Sequence, residues 1–209
     1  PVLPAGVTAL HAPAAVRSGG SALADLDAVS LVSAAPDLAA SILAVSRAWA
    51  PPAYPLTYTV TLSNSGNAPS AGTALTVTLP AGLVDIVSPD LVYDGQAHRL
   101  TWQGVVPAAT PGVTLSFAGA VSPVLGACGQ HDVAATVRDE LGQETALAAS
   151  TALAVPDVNC DGAVDIVDIQ QVTARWGAAQ GDPLYHPRYD LDGDDQIGLL
   201  DVVIAAAAW

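Results

Sequence analysis

Lysine and methionine are both missing from this 209-residue chain, and phenylalanine occurs once. Basic charge rests on six arginines alone, against 20 acidic residues, for a net charge of −14. The arginines form no cluster, so a nucleic-acid-binding surface is disfavoured. Glutamate is nearly absent too: only Glu140 and Glu144 occur, both beside a turn signal. Histidines 11, 98, 131 and 186 are scattered without metal-ligand spacing. There is no nucleophile elbow, phosphate-binding loop or dinucleotide fingerprint, so no catalytic residue is assigned and an enzyme is the weakest reading. No apolar run reaches the roughly 18 residues that a membrane-spanning helix needs. The chain opens on Pro1-Val2-Leu3-Pro4, without a charged-then-apolar leader; a secreted protein would have had its signal removed.

What remains is 51% apolar but only 5% aromatic, and dominated by alanine, valine, threonine, glycine and proline. That composition suits a β-rich extracellular module better than a cytosolic enzyme. Residues 36–155 alternate apolar and polar positions in short runs. Leu56, Tyr58, Val60 and Leu62 share one face, as do Leu75, Val77 and Leu79. Val113, Leu115, Phe117 and Val121 follow, then Val133, Ala135 and Val137. Asp94-Gly95 between two apolar runs signals a hairpin, and a last strand is expected near Ala146–Val155. About seven short strands with regular turns predict a mostly β chain, an Ig-like antiparallel β-sandwich.

The acid is uneven. Residues 157–209 hold ten aspartates and two arginines, a local charge of −8. Their spacing is specific. Calcium takes six to eight oxygens, which a twelve-residue loop supplies from positions 1, 3, 5, 7, 9 and 12. Asp157, Asn159, Asp161, the carbonyl of Ala163, Asp165 and Asp168 meet that pattern, with Gly162 at the sharp turn of position 6. Asp190, Asp192, Asp194, the carbonyl of Gln196 and Asp201 meet it again, so two calcium ions are expected. The second loop departs at Asp195, in the glycine position, and at Gly198, which has no side chain for position 9. Weaker binding is expected there. Position 8 of the first loop is Val164, expected to pair with the partner loop as a short strand. Position 12 is aspartate in both loops, not the glutamate of helix–loop–helix sensors. Helices are predicted after each loop, over Ile166–Trp176 and Leu199–Trp209. None is predicted before, since Asp182–Pro187 carries two prolines.

A duplicated loop with an exiting helix, over residues 156–209, resembles the dockerin family, in which such modules dock onto cohesin domains. The resemblance implies partner-binding positions at loop positions 10 and 11, here Ile166-Val167 and Leu199-Leu200. They are apolar, which implies a greasier partner than usual or burial against the neighbouring domain. The phrases Pro55-Leu56-Thr57-Tyr58-Thr59-Val60-Thr61-Leu62-Ser63-Asn64-Ser65-Gly66-Asn67-Ala68 and Thr76-Val77-Thr78-Leu79-Pro80-Ala81-Gly82 resemble the repeated Ig-like domains of bacterial surface proteins, which act as stalks.

Residues 1–35 read either as an N-terminal β-hairpin of the same sandwich or as the end of a preceding Ig-like repeat. Ala14-Ala15-Val16-Arg17 echoes Ala135-Thr136-Val137-Arg138. Such a segment, pairing with another copy, would polymerise the chain by strand addition. Cys128 and Cys160 either bridge the β domain to the calcium module, as an oxidising compartment allows, or stand unpaired. The expected whole is a non-enzymatic extracellular or cell-surface assembly protein. Its partner is either the same chain type, in a homo-oligomeric filament or surface layer, or a cohesin-like receptor.

Overall fold

The structure is a computed structural model and describes residues 34–108, 112–123 and 128–209. The readings made for residues 1–33, the hairpin and its strand addition, lie outside the described residues. The chain is mostly β. Ten strands run β1 (Ile42–Val45), β2 (Trp49–Ala50), β3 (Pro55–Leu62), β4 (Ser70–Thr78), β5 (Leu83–Val87), β6 (Val92–Asp94), β7 (Arg99–Val106), β8 (Val113–Val121), β9 (Gln130–Arg138) and β10 (Glu144–Leu153). Two helices close the chain, α1 (Ile166–Thr173) and α2 (Leu199–Ala207).

The strands form two sheets, ordered β1-β3-β8-β5 and β2-β10-β9-β4-β7-β6. Period-2 alternation places one face of each strand inside: Leu56, Tyr58, Val60 and Leu62 of β3 are all fully buried. Phe117 of β8 joins them on the same sheet, and against them stand Leu75 and Val77 of β4 and Val133 and Val137 of β9. Tyr58 and Phe117 are cross-strand partners and stack with ring centroids 4.8 Å apart.

Three short strands exceed the seven expected. β1 and β2 are separated by residues 46–48, where the chain crosses from the smaller sheet to the larger. β2 then pairs in parallel with β10, Trp49 opposite Ala152 and Ala50 opposite Leu153, so the sandwich is not wholly antiparallel. This crossover brings Arg47 and Trp49 beside the chain's C-terminal part. The Asp94-Gly95 hairpin forms, but β7 starts only at Arg99, leaving residues 95–98 as its connection. Asp94 Oδ1 accepts from the amides of Gln96 and Ala97, both at 3.1 Å, and holds that turn.

A second, separate cluster of buried residues lies beyond β10: Ala154, Val158, Val172, Ala178, Tyr189, Leu191, Ile197 and Ala205. Three of the eight are alanine, so the apolar burial is slight. Full burial of a large aliphatic side chain contributes only about 1.5–3 kcal/mol. A core this small needs a staple or a metal to hold. One staple is present: a disulfide joins Cys128, just before β9, to Cys160, with Cα atoms 5.7 Å apart.

Candidate metal centre

Two stretches of backbone in the C-terminal part adopt the same shape. At positions 4 and 6 of the first loop, Cys160 and Gly162 have φ of 63° and 92°. At the equivalent positions of the second, Gly193 and Asp195 have φ of 79° and 68°. The hydrogen bonds repeat in step. Asp157 Oδ1 accepts from the amide of Asp161 at 3.2 Å, and Oδ2 from Gly162 at 3.0 Å. Asp190 Oδ1 accepts from Asp194 at 3.1 Å, and Oδ2 from Asp195 at 3.0 Å. Asn159 Oδ1 accepts from Asp161, as Asp192 Oδ1 does from Asp194. The amides of Ala163 and Gln196 donate to Asp161 Oδ1 (3.0 Å) and Asp194 Oδ1 (2.8 Å).

Position 12 ties each loop to its helix. Asp168 Oδ2 accepts from Asp165 at 2.9 Å and Oδ1 from Asn159 at 3.2 Å. Asp201 Oδ2 accepts from Gly198 at 2.6 Å and Oδ1 from Asp192 at 3.2 Å. Asp165 also caps α1, its Oδ1 accepting from Val167 at 2.7 Å. Gly198 begins α2 without a side-chain cap. Both helices start where the spacing predicts. The segment before the second loop is a single 3-10 turn, Pro187–Tyr189.

These carboxylates are buried against their chemistry. Asp157 is 5% exposed, Asp168 0%, Asp190 2% and Asp201 1%. An ionised carboxylate removed from water is costly unless a cation or several donors compensate it. The ion pairs among the described residues are Arg47–Asp190, Arg47–Asp195 and Arg99–Asp94, and none reaches the first loop. In the second loop, carboxylate oxygens of Asp190, Asp192 and Asp194 gather within 4.8 Å of one another. Burial, and then the charges of Asp201, Asp194 and Asp190, push the Asp192 carboxyl up to about 6. Converging hard oxygen donors of one sign, held by backbone amides, fit an oxygen-liganded divalent cation. The second loop brings Asp190, Asp192 and Asp194 together in this way, with Gln196 and Asp201 at its remaining ligand positions; the first carries Asp157, Asn159, Asp161, Ala163, Asp165 and Asp168 at the equivalent positions, without three carboxylates gathered so closely.

The second loop also touches the sandwich. Arg47 Nη1 donates to the Gly193 carbonyl and to Tyr54 Oη, both at 2.8 Å, and Nη2 pairs with Asp195 and lies 3.7 Å from Asp190. Tyr185 Oη donates to Asp190 Oδ2 at 2.8 Å. A Cβ on Gly193 would stand 2.6 Å from Tyr54 Cε2, so only glycine admits this approach. Aspartate at position 6 is therefore an anchor for Arg47 in a left-handed backbone. Arg47, Tyr54 and Tyr185 were not singled out from sequence, and only the aspartate in a glycine position hinted at a partner.

Two sequence expectations are corrected here. Val164 does not pair with the partner loop. Ile197, its counterpart, instead exchanges bonds with the Gly177 amide and the Ala178 carbonyl, each at 2.8 Å, because the chain after α1 folds back beside it. Nor are the apolar pairs buried against the chain's own sandwich: Ile166, Val167, Leu199 and Leu200 are 46%, 42%, 67% and 53% exposed. Each pair sits in the first turn of its helix, just after its loop. No helix among the described residues is long and apolar enough to cross a membrane.

No family model matches the chain, and no curated protein does. Solved structures of similar shape include a CARDB domain from Pyrococcus furiosus in complex with di-metal ions (15% identity, 56% of this chain and 88% of that one, TM-score 0.35). A cohesin of Acetivibrio cellulolyticus scaffoldin B, in complex with a Cel5 dockerin, is 12% identical over 55% of this chain and 98% of that one, with a TM-score of 0.39. A non-cellulosomal cohesin of Archaeoglobus fulgidus is 13% identical, over 56% and 93%, with a TM-score of 0.34. Each likeness spans little more than half of this chain.

Proposed function

We propose that this chain is a non-enzymatic extracellular assembly protein whose C-terminal part is a dockerin-like module folded around two calcium ions. The observation that carries the reading is the recurrence of one loop backbone, with six of its side-chain-to-amide bonds to positions 1, 3, 5 and 12 repeated in step and buried aspartates at positions 1 and 12. A core of eight residues, three of them alanine, does not hold such a shape against four buried like charges. Calcium supplies the missing positive charge, and Asp157, Asp168, Asp190 and Asp201 anchor it. Extracellular calcium and an oxidising compartment suit both this demand and the Cys128–Cys160 bridge.

The docking surface is the exposed apolar pair at each helix start, Ile166-Val167 and Leu199-Leu200, which the two ordered loops present. A partner of matching apolar surface covers it. We take that partner to be a second copy, giving a filament or surface layer. Capture by a cohesin-type receptor is the second reading, favoured by the placement of the patch at loop positions 10 and 11. Sedimentation of the purified chain with calcium separates them. Self-association that Val167→Asp or Leu200→Asp abolishes supports assembly; a monomer that binds a cohesin through the same residues supports docking. A monomer indifferent to both substitutions and to cohesin defeats the proposal.

A further inference from the structure

Where the sandwich meets the C-terminal part, an open cleft of about 710 Å³ lies between β2 and the residues following α1. Its lining includes Trp49, Arg175, Leu184, His186, Arg188 and Tyr189. Arg175 lies 3.8 Å over the Tyr189 ring, and its Nη1 donates to the Gln171 carbonyl at 2.7 Å. Arg188 lies 5.5 Å over the Trp49 ring, and its Nη1 donates to the Val158 carbonyl at 3.1 Å. Each guanidinium is thus oriented by an aromatic face and one carbonyl, with further N–H donors of its five left over. Neither has a carboxylate partner among the described residues, in a chain with 20 acids and six arginines. Burial first, and then the charges of Arg188 and Arg175, depress the basicity of His186.

We propose that this cleft binds an Asp/Glu-rich segment of a partner protein, its carboxylates gripped by Arg175 and Arg188. Pre-oriented guanidinium forks match the two oxygens of a carboxylate bidentately, and two of them in one cleft favour more than one carboxylate. A protein segment is favoured over an acidic saccharide. A sugar ring needs a free aromatic face, whereas Trp49 carries Arg188, with His186 set at 75° against it, and Tyr189 is buried beneath Arg175. Leu184, 65% exposed at the cleft, offers apolar contact to the methylenes of an acidic side chain. This inference stands apart from the cation reading, since none of the loop ligands lines the cleft.

The test is a titration of the whole chain, at saturating calcium, with hexaglutamate, hexaglutamine and trigalacturonate, following the Trp49 indole N–H and the His186 ring by nuclear magnetic resonance. Hexaglutamate should shift both signals saturably and hexaglutamine neither. Arg175→Gln and Arg188→Gln should each weaken binding about tenfold or more, while Arg99→Gln, an exposed arginine elsewhere, should leave it unchanged. If either cleft variant unfolds, the mapping of wild-type shifts onto Trp49 and His186 still decides. No shift at these two residues, an affinity indifferent to the arginines, or equal binding of trigalacturonate overturns the proposal.

Discussion

Asp195 carries two opposed effects on one residue. Its left-handed backbone, φ 68°, costs about 1 kcal/mol relative to glycine, and the pairing of its half-exposed carboxylate with Arg47 returns a similar amount, about 0–1 kcal/mol. Asp195→Gly should therefore change stability little. In an Arg47→Met background, where the pair is gone, the same change should stabilise by about 1 kcal/mol. Thermal denaturation of the four proteins measures the coupling, and additive effects would remove Arg47 as the anchor. Asp192 makes a pH prediction. With calcium absent, its folded-state carboxyl titrates near 6 rather than at the ordinary 3.8, so the native state keeps a proton that the unfolded chain has lost. Its contribution to stability is present below about pH 4 and is lost as pH rises towards 6. Asp192→Asn should flatten that decline in chelator, and calcium binding at pH 5.5 should release a proton in the wild type, measurable by calorimetry in buffers of different ionisation enthalpy.

The two helices are built alike but capped differently. Asp165 caps α1, while Gly198 leaves α2 without a side-chain cap. Asp165→Ala should cost about 1 kcal/mol through the lost cap and weaken cation binding at the first loop as well. Gly198→Asp should add both a cap and a loop-position-9 oxygen, raising cation affinity at the second loop several-fold in competition with a chelator. Helix starts and the loop backbone were legible because aspartate and glycine spacing fixes them locally, and β3, β4, β8 and β9 were legible because their burial alternates cleanly. β2 was not: two residues, Trp49 and Ala50, carry no period. The pairing of Ile197 with Ala178 was equally hidden, since position 8 of either loop is merely apolar and tertiary contact chooses its partner.

The sandwich and the C-terminal part meet through few contacts with large sequence separation. Arg47 reaches Gly193 and Asp195, 146 and 148 residues away, and the disulfide spans 32. No local pattern in the sequence announces such contacts, which is why the junction and its cleft escaped the sequence reading. Replacing both cysteines by serine should cost about 3–4 kcal/mol, the chain-entropy value for a loop of this length, read from denaturant unfolding. Cation binding should matter as much. Each site adds about 2.7 kcal/mol at a hundredfold excess over Kd, and the charge of two calcium ions offsets half of the local −8. The direct measurement is the far-ultraviolet circular dichroism melt of the intact, disulfide-bonded chain in calcium and in excess chelator. A helical signal that weakens and melts at lower temperature on chelation, restored by calcium and lost in Asp157→Ala with Asp190→Ala, is the expected result. Superimposable melts in calcium and chelator would contradict it.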